Sequence, residues 1–188
     1  MQLVFFLEEL SARVFLEGLL DRILPERVTP RFVVFDGKSD LDRSLVRKMR
    51  GWLEPDSRFV VLRDRDAGDC REIKQRLVDK CREAGQESAL VRIACRELES
   101  WYLGDLNAVA QALDARNAAS QQNRSQFRDP DGLDNPVQAL TRLAPTYQKV
   151  AGSRALGRVL DPDHNTSNSF RTFVAGVRRL VTEDQSAG

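Results

Sequence analysis

Histidine is nearly absent from this chain of 188 residues, with His164 alone. It lies in the polar stretch Asp161-Pro162-Asp163-His164-Asn165-Thr166, with no Gly-x-Ser-x-Gly serine to serve, and reads as a solvated loop residue rather than a catalytic one. Cysteine is scarce as well. Cys70, Cys81 and Cys95 are an odd set without Cys-x-x-Cys spacing, which excludes a disulfide framework and a zinc ribbon and makes a reducing cytoplasm the simplest expected home. There is no excess of either charge: 29 Lys+Arg stand against 28 Asp+Glu, a formal net charge of +1, so neither strong polyanion binding nor an acidic tail follows. No window approaches the roughly 20 apolar residues that cross a bilayer, so no membrane partner is expected. The opening apolar run, Leu3 to Leu7, has no basic lead and meets Glu8 and Glu9, which makes it a strand rather than a secretory leader.

What remains is the composition of an ordinary globular protein, 41% hydrophobic and 30% charged. At this size about 70% of the unfolded chain's surface can be buried, enough for one sizeable core without covalent staples. The first hundred residues alternate two periodicities. Gln2–Leu7, Arg31–Phe35, Arg58–Leu62 and Ala89–Ala94 are short runs of the kind that form strands buried on both faces. Between them lie three helical stripes: one with Ser11 as cap that stops at Pro25, one from about Asp40 to Leu53, and one that opens near Asp69 and ends at Gly85. This rhythm calls for right-handed crossovers, a mainly parallel four-stranded sheet and helices on its faces. Arg96–Ala115 looks helical with a break near Gly104, and 116–135 is a polar loop with freedom to move. Helical spacing resumes at Pro136–Leu143, Tyr147–Leu160 and Ser169–Val181, although Gly152 and Gly157 weaken the middle one. The expected organisation is an α/β domain over 1–115, the polar loop, and a helical extension over 136–188 docked on the α/β layer.

The informative feature is where the carboxylates fall. Glu8 and Glu9 follow the first strand, and Asp64 and Asp66 follow the third in Val60-Val61-Leu62-Arg63-Asp64-Arg65-Asp66. In a parallel sheet both turns open at the carboxyl edge, where ligands bind in open α/β folds. If strands one and three are neighbours, in an order such as 2-1-3-4, a Glu and two Asp converge across a spacing of about 4.8 Å. Clustered carboxylates with no histidine nearby suit a hard cation, Mg²⁺ or Mn²⁺. The same residues also suit plain structural duty, because acidic side chains cap helices at strand-to-helix turns.

Phe6-Leu7-Glu8-Glu9-Leu10 after strand one together with Asp64-Arg65-Asp66 after strand three resembles a TOPRIM domain, the metal-binding module of topoisomerases, primases and OLD (overcoming-lysogenization-defect) nucleases. Phe35-Asp36-Gly37-Lys38-Ser39-Asp40-Leu41, Arg96-Glu97-Leu98-Glu99-Ser100-Trp101-Tyr102-Leu103, Tyr147-Gln148-Lys149-Val150 and Ser167-Asn168-Ser169-Phe170 extend the likeness over nearly the whole chain, to an uncharacterised bacterial family with a TOPRIM-like fold. The resemblance implies a three-layer α/β fold, Glu8 as general acid/base or metal ligand, and Asp64 and Asp66 as metal ligands. It also implies a nuclease-like, Mg²⁺-dependent phosphodiester chemistry, a place in a defence system, nucleic acid as substrate and a separately encoded ATPase as partner. One departure matters: where the typical motif has Gly after the glutamate, this chain has Glu9, and neighbouring residues at a strand end are expected to point apart, so that only one of the pair faces the site.

Glu97 and Glu99 are two residues apart and face different ways on a strand or a helix, so only one of them can join the cluster as a further metal ligand. The alternative is a capped helix whose Trp101 and Leu103 pack into the core. Lys38, Arg63, Arg65 and Arg96 lie near the expected site and are candidates for phosphate contact, with the limit that strand alternation keeps them from all facing one ligand. Gly37-Lys38-Ser39 is not a Walker A loop, because Phe32 stands where that loop needs Gly. Asp64 to Asp69 is not an EF-hand, since Gly68 takes the fifth loop position. Three functions remain: a metal-dependent phosphodiester-acting enzyme, a metal-binding or regulatory module that docks a partner, or a hydrolase that uses the same site on a phosphorylated small molecule. The near-zero net charge leans toward the second, because autonomous DNA binding carries a basic footprint.

Overall fold

Strand runs that are apolar on both faces need a sheet covered on both sides, and the amphipathic helices between them supply the cover. The computed structural model describes residues 1–65 and 68–183. In it β1 (Gln2–Leu7), β2 (Thr29–Val34), β3 (Ser57–Asp64) and β4 (Leu90–Ala94) form one all-parallel sheet in the order β2-β1-β3-β4. Strands β1 and β3 are therefore neighbours, as the carboxylate pattern requires. Register fixes the rest: Leu7 pairs with Leu62, and Asp64 pairs with Ala94. Asp66 lies outside the described residues.

Alternation along the strands divides the core in two. Val4, Phe6, Phe59 and Val61 face α2 (Lys38–Arg50) and α3 (Cys70–Glu83), burying Leu41, Leu45, Met49, Ile73 and Leu77. Leu3, Phe5, Leu7, Val60 and Leu62 face α1 (Leu10–Ile23) and the later helices α4 (Glu99–Leu103), α5 (Leu106–Ala112), α6 (Pro136–Leu143), α7 (Lys149–Gly157) and α8 (Asn168–Glu183). The result is a three-layer α/β fold in which the C-terminal helices share one apolar cluster with the sheet. Among the described residues no helix is long and apolar enough to cross a membrane.

Several local expectations change in the structure. Ser11 does not cap α1: Glu9 holds the cap position, and the Ser11 hydroxyl donates to the Glu9 carboxylate. Helix α2 begins before Asp40, after Gly37 at φ 81°, a left-handed conformation that favours glycine. The Gly37 N–H donates to the Glu8 carbonyl at 3.0 Å, tying the first two turns of the sheet edge together. Asp69 caps α3 as expected, accepting from the N–H groups of Arg71 at 2.7 Å and Glu72 at 3.1 Å. The polar stretch 116–135 is pinned rather than loose. It makes three 3₁₀ turns, at Ala119–Gln121, Ser125–Phe127 and Pro130–Gly132, and buries Phe127. Its polar side chains work inward: Asp131 accepts from the Ser167 hydroxyl at 2.7 Å and from the Ser169 N–H at 2.7 Å.

Helix α7 contains the two glycines that weaken its helical pattern, and both are contact points. A Cβ on Gly157 would stand 2.1 Å from the Phe15 carbonyl oxygen on α1, and one on Gly152 would stand 2.4 Å from the Tyr147 ring. Tertiary packing here overrides the poor helix propensity of glycine. The contacts between the helices advance together along both chains, from Glu9 with Lys149 through Glu17 with Arg154 to the Arg22 side chain on the Leu160 carbonyl, so α1 and α7 run parallel and present their N-termini to the same sheet edge. Gly157→Ala should force the two backbones apart and lower stability by about 1–3 kcal/mol, the usual cost of overpacking. Thermal unfolding measures it; an unchanged Tm would mean that this crossing has slack.

Candidate functional site

The site is built where β1 and β3 end. Pairing of Leu7 with Leu62 sets Glu8 beside Arg63 and Asp64, and the Asp64 N–H donates to the Glu8 carboxylate at 3.3 Å. Strand alternation then sends consecutive side chains of β3 to opposite faces. Arg63 follows Phe59 and Val61 to the α2 side, where its guanidinium is buried, donates to both Asp42 oxygens at 3.0 and 3.1 Å, and stands 3.8 Å from Glu8. Asp64 follows Val60 and Leu62 to the other side, the layer of α1, α4 and α7. There the charges of Glu9, Glu8 and Glu99 all act on it, opposed by Lys149.

Asp64 consequently has its pKa raised well above the ordinary carboxylate value, by burial first and then by Glu9, Glu8 and Glu99. The two glutamates after β1 do not divide into one inside and one outside: Glu8 lies on the Arg63 side and Glu9 on the α7 side, with Asp64 feeling both. Glu9 accepts from the Lys149 ammonium at 2.8 Å. Burial pulls Lys149 toward the neutral form, but its bond to Glu9 and the charges of Glu9, Glu99 and Asp64 outweigh that, and its pKa is raised.

Of the second glutamate pair, Glu99 is the one turned into the cluster. It opens α4 and is 1% exposed, while Trp101 and Leu103 of the same helix are fully buried in the core. The core-packed helix expected for this stretch is present, and Glu99 on it is close enough for its charge to act on Asp64. The Tyr147 hydroxyl donates to Glu99 Oε1 at 2.9 Å, and Oε2 is buried without a hydrogen-bond partner. Burial is the main cause that raises the Glu99 pKa, with Glu97 adding to it and Tyr147 and Lys149 opposing. Glu97 is only partly buried, in the turn ahead of α4.

Nothing else predicted as a phosphate contact enters this cluster so directly. Lys38 is exposed in the first turn of α2. Arg96 adopts φ 68° between β4 and α4 and pairs with Asp134 at 2.9 Å. Arg65 and Arg96 each keep a buried Nε without a hydrogen-bond partner. The residues that spacing did not single out are Lys149 and Tyr147. Their stretch marks the family resemblance, but only the crossing of α7 on α1 brings it to the carboxylates.

The family model described as a domain of unknown function, DUF4276, matches residues 7–178. The chain belongs to this family. Its fold is similar to two solved chains: the C-terminal region of the OLD protein of Burkholderia pseudomallei, at 18% identity and TM-score 0.57 over 95% of this chain and 98% of that one, and the C-terminal region of the OLD protein of Xanthomonas campestris pv. campestris, at 18% identity and TM-score 0.50 over 98% and 97%. No curated protein matches the chain. The expected likeness to OLD proteins is thus seen in the fold, while identity this low leaves chemistry to be argued from the side chains.

For a divalent cation the donor chemistry is suitable: all-oxygen, anionic, with the buried Glu99 Oε2 lacking a partner. No group of three or more His, Cys, Asp or Glu among the described residues is arranged as a cage. A carboxyl whose folded-state pKa is raised favours folding most when protonated, so Asp64's contribution is fully present below the unfolded value of about 3.9 and is lost as pH climbs through the raised folded value. In buffer freed of divalent cations, Asp64→Asn should therefore melt above wild type near neutral pH by a few degrees, about 2–4 °C per kcal/mol at this length, with the gap closing toward about pH 4. Melting curves that coincide over the whole range would show that the ionised Asp64 carries no such penalty.

Proposed function

We propose that this protein is a Mg²⁺- or Mn²⁺-dependent enzyme acting on phosphodiesters, a nuclease-like member of the TOPRIM group. The observation that supports this most is that the charges of Glu8, Glu9 and Glu99 all act on Asp64 at the carboxyl edge of a parallel sheet, with Lys149, bonded to Glu9, as the opposing charge. Glu8 and Asp64, with Asp66 of the sequence motif, would hold the cation, and Glu99 is the candidate for a further ligand through the oxygen that has no partner among the described residues. When bound, such an ion polarises a phosphoryl oxygen and stabilises charge on the attacking and leaving oxygens.

The chain's own groups have complementary tasks. Glu8 moves a proton, held in place by the Asp64 N–H and by Arg63, which Asp42 anchors in turn. Lys149 supplies fixed positive charge beside the place where a phosphate would enter. Tyr147 fixes one oxygen of Glu99, leaving the other toward the cluster. Lys38, Arg65 and Arg96 line the approach as candidate contacts for the flanking phosphates, whereas Arg63 is committed to carboxylates.

A second reading has specific support: a metal-binding or regulatory module that docks a partner such as a separately encoded ATPase. Lys149, Arg63 and Arg96, near the site, are already paired with Glu9, Asp42 and Asp134, and a net charge of +1 lacks the basic excess that autonomous nucleic-acid binding usually carries. A cytoplasmic site of action suits both readings. Cleavage of single- and double-stranded DNA, followed across a Mg²⁺ and Mn²⁺ titration, separates them. Glu8→Gln should retain the fold by circular dichroism and lose cleavage by about 10²–10⁴-fold, the range for a displaced general acid/base. Metal-independent silence of the wild type, with calorimetric Mg²⁺ heats that vanish in Asp64→Asn, would favour the regulatory module; equal heats in both proteins would place any bound ion elsewhere.

A further inference from the structure

Two of the three cysteines, far apart in the chain, meet in the fold. Cys70 is the first residue of α3 and Cys95 follows the last residue of β4, and their Sγ atoms lie 3.9 Å apart. Both are free and partly buried, whereas Cys81 is 2% exposed in the core between the sheet and the outer helices. The pair lines a cavity of about 220 Å³, with Arg71, Lys74 and Arg92 also on its wall, so a small polar oxidant has a way in. The surroundings of Cys95 are well defined: its N–H faces the Ser169 hydroxyl at 3.4 Å and its carbonyl accepts from the Ser100 hydroxyl at 2.8 Å.

We propose that Cys70 and Cys95 are a redox pair that a hydroperoxide converts to an intramolecular disulfide, tying the first turn of α3 to the turn between β4 and α4. A disulfide needs its sulfurs at about 2.04 Å, so the present separation closes by an approach of about 2 Å, within the reach of side-chain rotation about χ1. In the first step one thiolate attacks a peroxide oxygen, the O–O bond breaks, hydroxide leaves, and the sulfur is oxidised to a sulfenic acid. In the second, the other sulfur attacks the sulfenic sulfur, the S–O bond breaks, and the departing oxygen takes the second thiol proton and leaves as water. The hydroxide of the first step takes up the proton that the first thiol lost on ionising, so two sulfurs have lost one electron each and hydrogen peroxide has been reduced to two waters. A dithiol reductant reverses the bond by exchange.

The placement gives the bond a consequence. The two linked segments are the first turn of α3, downstream of Asp64, and the turn after β4 that leads to Glu99, so the disulfide fixes their spacing. The inference stands on the thiol geometry and is independent of the reaction assigned to the carboxylates.

Mass spectrometry of the full-length chain treated with dilute hydrogen peroxide tests it. After alkylation under denaturing conditions, one thiol should remain, Cys81, and trypsin should release residues 66–71 joined to residues 93–96, a species abolished by reductant. Cys70→Ser and Cys95→Ser should each lose the cross-link while Cys81 stays reduced. Peroxide-treated wild type that still alkylates at all three cysteines, that carries separate sulfinic acids on Cys70 and Cys95, that pairs either with Cys81, or that forms only intermolecular disulfides would overturn the proposal.

Discussion

The closeness of α1 to α7 governs what the sheet edge can do. With Phe15's carbonyl oxygen where a Cβ on Gly157 would have to be, only glycine lets the two helices approach to backbone contact. Because the helices run parallel, that contact sets the level of the N-terminus of α7 against that of α1. Lys149 then reaches Glu9, and Tyr147, lying over Gly152, reaches Glu99. A wider crossing would leave the strand-end carboxylates in place and remove both of their partners from the C-terminal half of the chain.

Those carboxylates are an electrostatic liability that the fold maintains. Asp64 is held among Glu8, Glu9 and Glu99, with Lys149 as the opposing charge, and a buried carboxylate oxygen on Glu99 goes without a hydrogen bond. Buried polar atoms are almost always satisfied, so such an exception marks either a missing partner or strain retained for use. A cation would answer both the excess charge and the free oxygen. Arg63 shows how the fold could have solved the problem internally: it sits next to Asp64 in sequence, but strand parity turns it to Asp42 on the opposite face.

Much of the fold was legible because its signals are local. Strand runs, helix stripes and the acid positions at strand ends give a parallel sheet with β1 beside β3, since any other order separates Glu8 from Asp64. Asp69 as a cap and Pro136–Leu143 as a helix are read from side-chain chemistry within a single turn. What was not legible depends on pairs distant in sequence. Gly152 and Gly157 look like helix breakers until α1 is placed against them, and 116–135 looks like a loose polar loop until Phe127 and Asp131 find their partners. The same holds for Cys70 and Cys95: spacing shows only that they make no ribbon, and the sheet is what brings them together. Within the site, the alternation rule implied that the basic candidates could not all face one ligand, but neither it nor any motif could say that Arg63 would be held by Asp42.

The pairing of cations with acids bears on what the edge can bind. Lys149 is held by Glu9 rather than by Asp64, so a ligand phosphate that drew Lys149 away would leave Glu9 uncompensated beside a partly buried acid whose pKa is already raised. Phosphate binding without a cation is therefore opposed by four nearby carboxylates, and cation binding without phosphate leaves the ion short of ligands among the described residues. In the proposed site each partner would remove the obstacle to the other: the ion would neutralise the acids, and the phosphate would add oxygen ligands and pair with Lys149. If the edge binds both, as proposed, charge alone would couple metal and phosphate positively, and such a site would have little affinity for polyanions until the metal arrived, which is compatible with a chain whose net charge is only +1.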